Sequence, residues 1–124
     1  MKDQSVGVDA ELLREALPYI RRFKGKTFVI KISGKVTEKL ENLSSLAEEI
    51  ALLHQVGIRV VVVHGGGAQA TELSERLGLE TKVVNGRRVT DDATLEVVKM
   101  VFAGKISVEI LSALRAFGVH AVGV

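Results

Sequence analysis

Arg59-Val60-Val61-Val62-Val63-His64-Gly65-Gly66-Gly67, continued by Ala68-Gln69-Ala70-Thr71-Glu72-Leu73, is the stretch that decides the fold. Four consecutive valines read as one buried strand covered on both faces, because β-branched side chains pack well on a pleated surface. Three glycines then strip the backbone at the carboxyl end of that strand, and an apolar-periodic helix follows. In an open α/β sheet this strand end is where ligands bind, and a glycine turn opening a helix points bare N–H groups at the occupant. A tight turn with no ligand is the other reading. A turn needs one glycine or two, however, and a third implies backbone that something must approach closely. The preferred occupant is an anion.

Working outward, Thr27-Phe28-Val29-Ile30-Lys31-Ile32 reads as a first strand, turned by Ser33-Gly34-Lys35. Lys31 has two readings, a side chain that snorkels to solvent or a fixed cation at a strand's carboxyl end. Asn42 to Val56 is a predicted helix, with Leu43, Leu46, Ala47, Ile50, Leu53 and Val56 on one face and Gly57 ending it. A helix from about Ala68 to Leu77 follows the glycines and stops at Gly78. This strand–helix–strand–helix order predicts a parallel sheet with right-handed crossovers, so both glycine turns should face one pocket.

Two short alternating pieces, Thr81 to Val84 and Arg87 to Thr90, flank Asn85-Gly86, a strong hairpin signal because both residues tolerate positive φ. The hairpin is expected to wall a pocket. Thr90-Asp91-Asp92 opens the next helix, which continues to Gly104, where a kink is expected. The pattern resumes from Ile106 to Phe117, and Val119 to Val124 is predicted to be another strand. Ahead of the first strand, residues 1–8 carry little pattern and are expected to be a disordered N-terminus. From Asp9, a candidate N-cap, Leu12, Leu13, Ala16, Leu17 and Ile20 have helical spacing, with Pro18 expected to kink the helix. A helix placed there has no obvious position in its own core and suits a partner subunit.

The 124 residues suffice for one domain or a piece of one. Hydrophobic residues make up 47% and charged residues 26%, which argues against disorder. Four Phe, one Tyr and no Trp leave few stacking platforms for single-stranded nucleic acid. A net charge of +2 from 17 basic and 15 acidic residues leaves no electrostatic footprint for nucleic acid or an anionic membrane. No cysteine is present, which excludes disulfides and thiolate metal sites and fits a cytoplasmic location. His54, His64 and His120 lack metal-ligand spacing, so no metal site is expected.

The candidate site is therefore Lys31, Gly34, Gly66, Gly67 and an arginine of the hairpin, Arg88 or Arg87. All are donors or cations, unaccompanied by a nucleophile–base pair. Such a set suits a carboxylate or phosphate, and phosphoryl transfer, where positioning and charge stabilisation supply most of the catalysis. The spacing of a Walker loop is absent.

From about Glu15 to Val124 the chain resembles the amino-terminal half of the acetylglutamate kinases, in the amino acid kinase family. The resemblance rests on Glu15-Ala16-Leu17-Pro18-Tyr19-Ile20, Val29-Ile30-Lys31, Val62-Val63-His64-Gly65-Gly66-Gly67, Asn85-Gly86-Arg87-Arg88-Val89-Thr90-Asp91 and Ala103-Gly104-Lys105. It implies a three-layer αβα fold of the carbamate-kinase type with a mainly parallel central sheet. It also implies that residues 9–23 are an interlacing helix through which the chain forms a homo-oligomer, a dimer or, as in the arginine-inhibited members, a hexameric ring, and that residues 24–124 are the acceptor-binding half. The ATP-binding half is then expected after the point where this chain ends, leaving the chain inactive alone.

The implied reaction is phosphorylation of the side-chain carboxylate of N-acetyl-L-glutamate by ATP, with Mg2+, in arginine biosynthesis. By the same resemblance Lys31 is the catalytic lysine and Gly34 donates its N–H to phosphate. Gly66 and Gly67 hold the acetylglutamate, Arg88 pairs with its α-carboxylate, and arginine is a possible effector. The sequence departs from the family pattern at Ser33, where glycine is usual, and at Ala68, where proline is usual. An alternative is the kinase-like arginine-sensing domain of an amino-acid N-acetyltransferase (acetylglutamate synthase). A third reading, resemblance to uridylate kinases, rests on Lys31-Ile32-Ser33-Gly34 alone.

Overall fold

The computed structural model describes residues 10–124. Residues 1–8 and the proposed cap Asp9 lie outside them. The elements in order are α1 (Ala10–Phe23), β1 (Thr27–Ile32), α2 (Gly34–Glu38), α3 (Leu40–Gln55), β2 (Arg59–His64) and α4 (Gly67–Arg76). There follow β3 (Val83–Val84), β4 (Arg87–Arg88), α5 (Asp92–Lys99), a π-helical segment (Met100–Ile106) and α6 (Ser107–Ala116).

β1 and β2 pair in parallel from Thr27 opposite Arg59 to Ile32 opposite His64, so the two strands end level at one sheet edge. That register places Ser33-Gly34 and the triple glycine side by side. The parallel α/β architecture is the expected one, and the crossover between the strands is α3. Ile32 joins Leu43, Ala47, Ile50 and Ala51 of α3, Ala70 of α4, Val97, Val101, Ile106, and Ile110 and Leu114 of α6 in one buried core.

The valine run is not covered on both faces. Burial alternates along β2, with Val60 and Val62 turned to the core and Val61 and Val63 exposed, as is Val29 on β1. Helices α3 and α6 pack together on the core side, and no described residue covers the other. An all-valine strand cannot signal this, since both its faces are equally apolar. The sequence pattern also misses α2, because five residues are too few to show a helical period.

Nor do residues Val119 to Val124 form a strand. After Gly118, at φ +77°, the chain runs on without ladder hydrogen bonds. Val119 is buried, but Val122 and Val124 are exposed. A cleft of about 720 Å³ separates this segment from the free edge of β2. Alternating apolar residues supply strand propensity, and pairing still requires a neighbour within hydrogen-bond distance.

Instead of a kink at Gly104, the helix stays continuous by widening to π geometry from Met100 to Ile106. This inserts a residue's worth of rotation between the buried faces of α5 and α6, so Val97, Val101, Ile106 and Ile110 all reach the core. α1 runs through Pro18 and buries none of its residues; Leu12, Leu13, Leu17 and Tyr19 are all exposed. It stays outside the core, as its position in the sequence predicts.

Candidate functional site

The site is built where β1 and β2 end. Gly66 precedes α4, whose first intrahelical bond runs from Ala70 N–H to the Gly66 carbonyl at 2.9 Å. The earlier N–H groups of the helix therefore lack intrahelical partners and carry the positive end of its dipole. The three glycines are not equivalent. A Cβ on Gly65 or Gly67 would meet nothing, whereas one on Gly66 would overlap the Phe102 ring and Ile106 Cδ1. What approaches Gly66 so closely is the π-helical segment, and its lack of a side chain is a packing requirement. Gly67 has the open surroundings expected of a ligand-binding glycine.

The hairpin forms as expected, with Asn85 at φ +50° and Gly86 at φ +75°, and Val83 paired with Arg88. Both turn residues thus adopt the left-handed conformation that a two-residue hairpin loop needs. Arg88, half-buried, reaches from β4 to α4. Its Nη2 donates to the Gly67 carbonyl at 2.8 Å and to Thr71 Oγ1, which itself donates to the Gly67 carbonyl at 2.9 Å. Arg88 Nη1 is buried without a hydrogen-bond partner. A buried cationic donor left unpaired is costly, and an anion is the partner that offsets it. Of the two arginines, Arg88 is the one brought to the glycines; Arg87 is exposed.

Gly34 opens α2 across the sheet edge from Gly67. Its carbonyl accepts from Thr37 Oγ1 at 2.8 Å and from Gln69 Nε2 at 3.3 Å, and Gln69 Nε2 also donates to Thr37 Oγ1 at 3.0 Å. The two glycine turns are thus tied together by a side chain of α4. Lys31 stands on the bare face with Val29, Val61 and Val63, exposed, its side chain without a hydrogen bond or ion pair to any described residue. The structure therefore unites Gly34, Gly66, Gly67 and Arg88, and leaves Lys31 beside them as a free cation among the described residues. Gln69, Thr71, Thr37 and Phe102 belong to the site's framework and were not legible as such. Gln69 and Thr71 follow the triple glycine closely in sequence, which is the one signal that could have drawn attention to them.

His64 ends β2. A carbonyl can only accept, so its Nδ1 carries the proton that bonds the Gly65 oxygen at 3.0 Å. The ring meets Phe102 edge-on, with centroids 6.4 Å apart. Both contacts are local packing. Asp91 caps α5, accepting from Thr94 N–H at 2.8 Å, and this bond, reinforced by the Thr94 hydroxyl, holds its carboxyl below the usual aspartate range. Among the described residues no three His, Asp or Glu side chains gather where they could hold a metal ion. No helix among them is long and apolar enough to cross a membrane.

Known proteins bear on this geometry. The model of the family described as "Amino acid kinase family" matches residues 26–124. The acetylglutamate kinase of Chlorobaculum tepidum is 51% identical over 115 residues, which is 91% of this chain and 40% of that protein. Crystal structures of N-acetylglutamate synthase from Neisseria gonorrhoeae are also similar. The complex with coenzyme A and N-acetyl-glutamate superposes with a TM-score of 0.76 at 36% identity, covering 91% of this chain and 26% of that one. The complex with coenzyme A and L-arginine gives 0.70 at 37% identity, covering 85% and 24%. The chain spans well under half the length of these relatives.

Proposed function

This chain belongs to the amino acid kinase family, and from that premise we propose that it forms the acceptor site for transfer of the ATP γ-phosphoryl group to the side-chain carboxylate of N-acetyl-L-glutamate. One observation carries the reading. Arg88 is delivered by the hairpin to the start of α4, with a buried Nη1 that has no partner, beside the open backbone of Gly67. A planar guanidinium presents paired donors that match a carboxylate. In this reading Arg88 takes the α-carboxylate and the Gly66-Gly67 turn holds the rest of the acceptor.

The acceptor is already an anion. A side-chain carboxylate oxygen attacks the γ-phosphorus, the bond to the bridging oxygen breaks, and ADP leaves with its electron pair; no general base is required. That agrees with a site made of donors and cations. Gly34 N–H and the exposed Lys31 ammonium would neutralise charge on the transferring group, the kind of preorganised electrostatic help on which phosphoryl transfer depends. ATP, accompanied by Mg2+, is the proposed donor.

Calorimetric titration of the chain with N-acetyl-L-glutamate and, separately, uridine monophosphate tests the assignment. Binding of the first alone supports it; binding of the nucleotide alone would transfer the site to a uridylate-kinase-like reaction.

A second reading is favoured by the likeness to the synthase structures. There the same segment would serve a kinase-like, arginine-sensing domain without transferring phosphate. Acceptor-dependent ADP release from ATP, against glutamate-dependent release of coenzyme A from acetyl-coenzyme A, separates the two in the protein that contains this segment.

A further inference from the structure

Gln69 is nine-tenths buried, yet its Oε1 has no hydrogen-bond partner. Its Nε2 donates toward α2, to Thr37 Oγ1 at 3.0 Å and, over a longer 3.3 Å, to the Gly34 carbonyl, residues 32 and 35 positions away in sequence. Thr37 relays its own proton to the same carbonyl at 2.8 Å. The donors run in one direction and converge on a single acceptor. Two donors on one carbonyl fix the peptide between Gly34 and Lys35, and with it the conformation of the turn. A side chain serving only to fill this space would be better apolar, because a buried acceptor without a partner is costly. Methionine has nearly the same length and would leave nothing unpaired.

We propose that Gln69 is a positioning residue that sets the distance between the two glycine turns, holding the Gly34 turn in register with the Gly66-Gly67 turn. It rests on the acceptor-site reading, in which the first turn meets the phosphoryl group and the second the acceptor. The strut starts on α4, two residues beyond Gly67, so it links the turn of helix on which an anion would sit to the Gly34 turn. Occupancy of one glycine turn is therefore transmitted to the other. Thr37 is the intermediate, and its hydroxyl, not its methyl, is what the linkage requires.

The test uses the full chain, labelled with nitrogen-15, with Gln69→Met, Thr37→Val and Thr37→Ser variants and circular dichroism as the check on folding. Without ligand, Gln69→Met and Thr37→Val should each speed amide exchange at Val36, whose N–H bonds the Ser33 carbonyl, by about fivefold. Exchange at Ala70 should not change, and Thr37→Ser should behave as the parent does. On titration with N-acetyl-L-glutamate, the parent should show shifts at Gly67 and, through the strut, at Gly34. In Gln69→Met and Thr37→Val the affinity should stay within about twofold, while the Gly34 shift falls below about half.

Unchanged Val36 exchange overturns the strut. Faster exchange with a full Gly34 shift overturns the positioning role and leaves only a local brace. An absence of shifts at Gly66, Gly67 and Arg88 in the parent instead overturns the acceptor reading, and the coupling role with it, while exchange still judges the strut. Thr37→Val attacks the linkage from its far end, so failure of one variant to fold leaves the other decisive.

Discussion

Gly66 and Gly67 are adjacent, and their reasons for being glycine differ. A methyl group on Gly66 would have to displace Phe102 and Ile106, so Gly66→Ala should destabilise the fold by about 1–3 kcal/mol in urea denaturation, the usual cost of overpacking. Gly67 faces open space within the first turn of α4. Gly67→Ala should leave stability unchanged or raise it by up to about 1 kcal/mol, as glycine-to-alanine does in helices, while weakening acceptor binding. Equal effects of the two variants would contradict the distinction. Three glycines in a row announced a close approach without saying by what, because the intruding Phe102 lies 36 positions on and carries no signal of its own. Arg88 was legible through its hairpin. Gln69 was not, since only the fold reveals that α2 and α4 meet there.

Among the elements, α5 has a cap that titrates. The Thr94 hydrogen bonds lower the folded-state carboxyl of Asp91, so the unfolded chain binds the proton more readily and stability rises with pH across that window. The contribution is complete above the usual aspartate value of about 4 and is lost as pH falls through the lowered value. Asp91→Asn keeps a capping oxygen and removes this charge. Thermal melts from pH 6 down to pH 2 should therefore show a smaller pH dependence for Asp91→Asn than for the parent. Identical slopes would mean that the cap bond is not formed in solution. Helices and strands with clear periods, α3, α4 and β1, were readable because their apolar faces are set by local geometry. The π-helical segment, α2 and the unpaired run from Val119 were not, because each depends on what stands beside it.

At the scale of the molecule, two parallel strands end level, and everything chemically interesting collects at that edge. The helices α3 and α6 cover one sheet face, while Val29, Val61, Val63 and Lys31 occupy the other. Sequence order alone predicted the edge, since a strand–helix–strand unit with a right-handed crossover has few arrangements. It could not predict the bare face, which depends on which elements lie above the sheet. The central claim is that the edge is a carboxylate site completed by Arg88, and the most direct test is calorimetric titration of N-acetyl-L-glutamate into the parent chain, Arg88→Ala and Arg88→Lys. Arg88→Ala should lose affinity by at least about tenfold, and lysine should restore only part of it because an ammonium lacks the paired donors. Unchanged affinity in Arg88→Ala, with the fold intact, would contradict it.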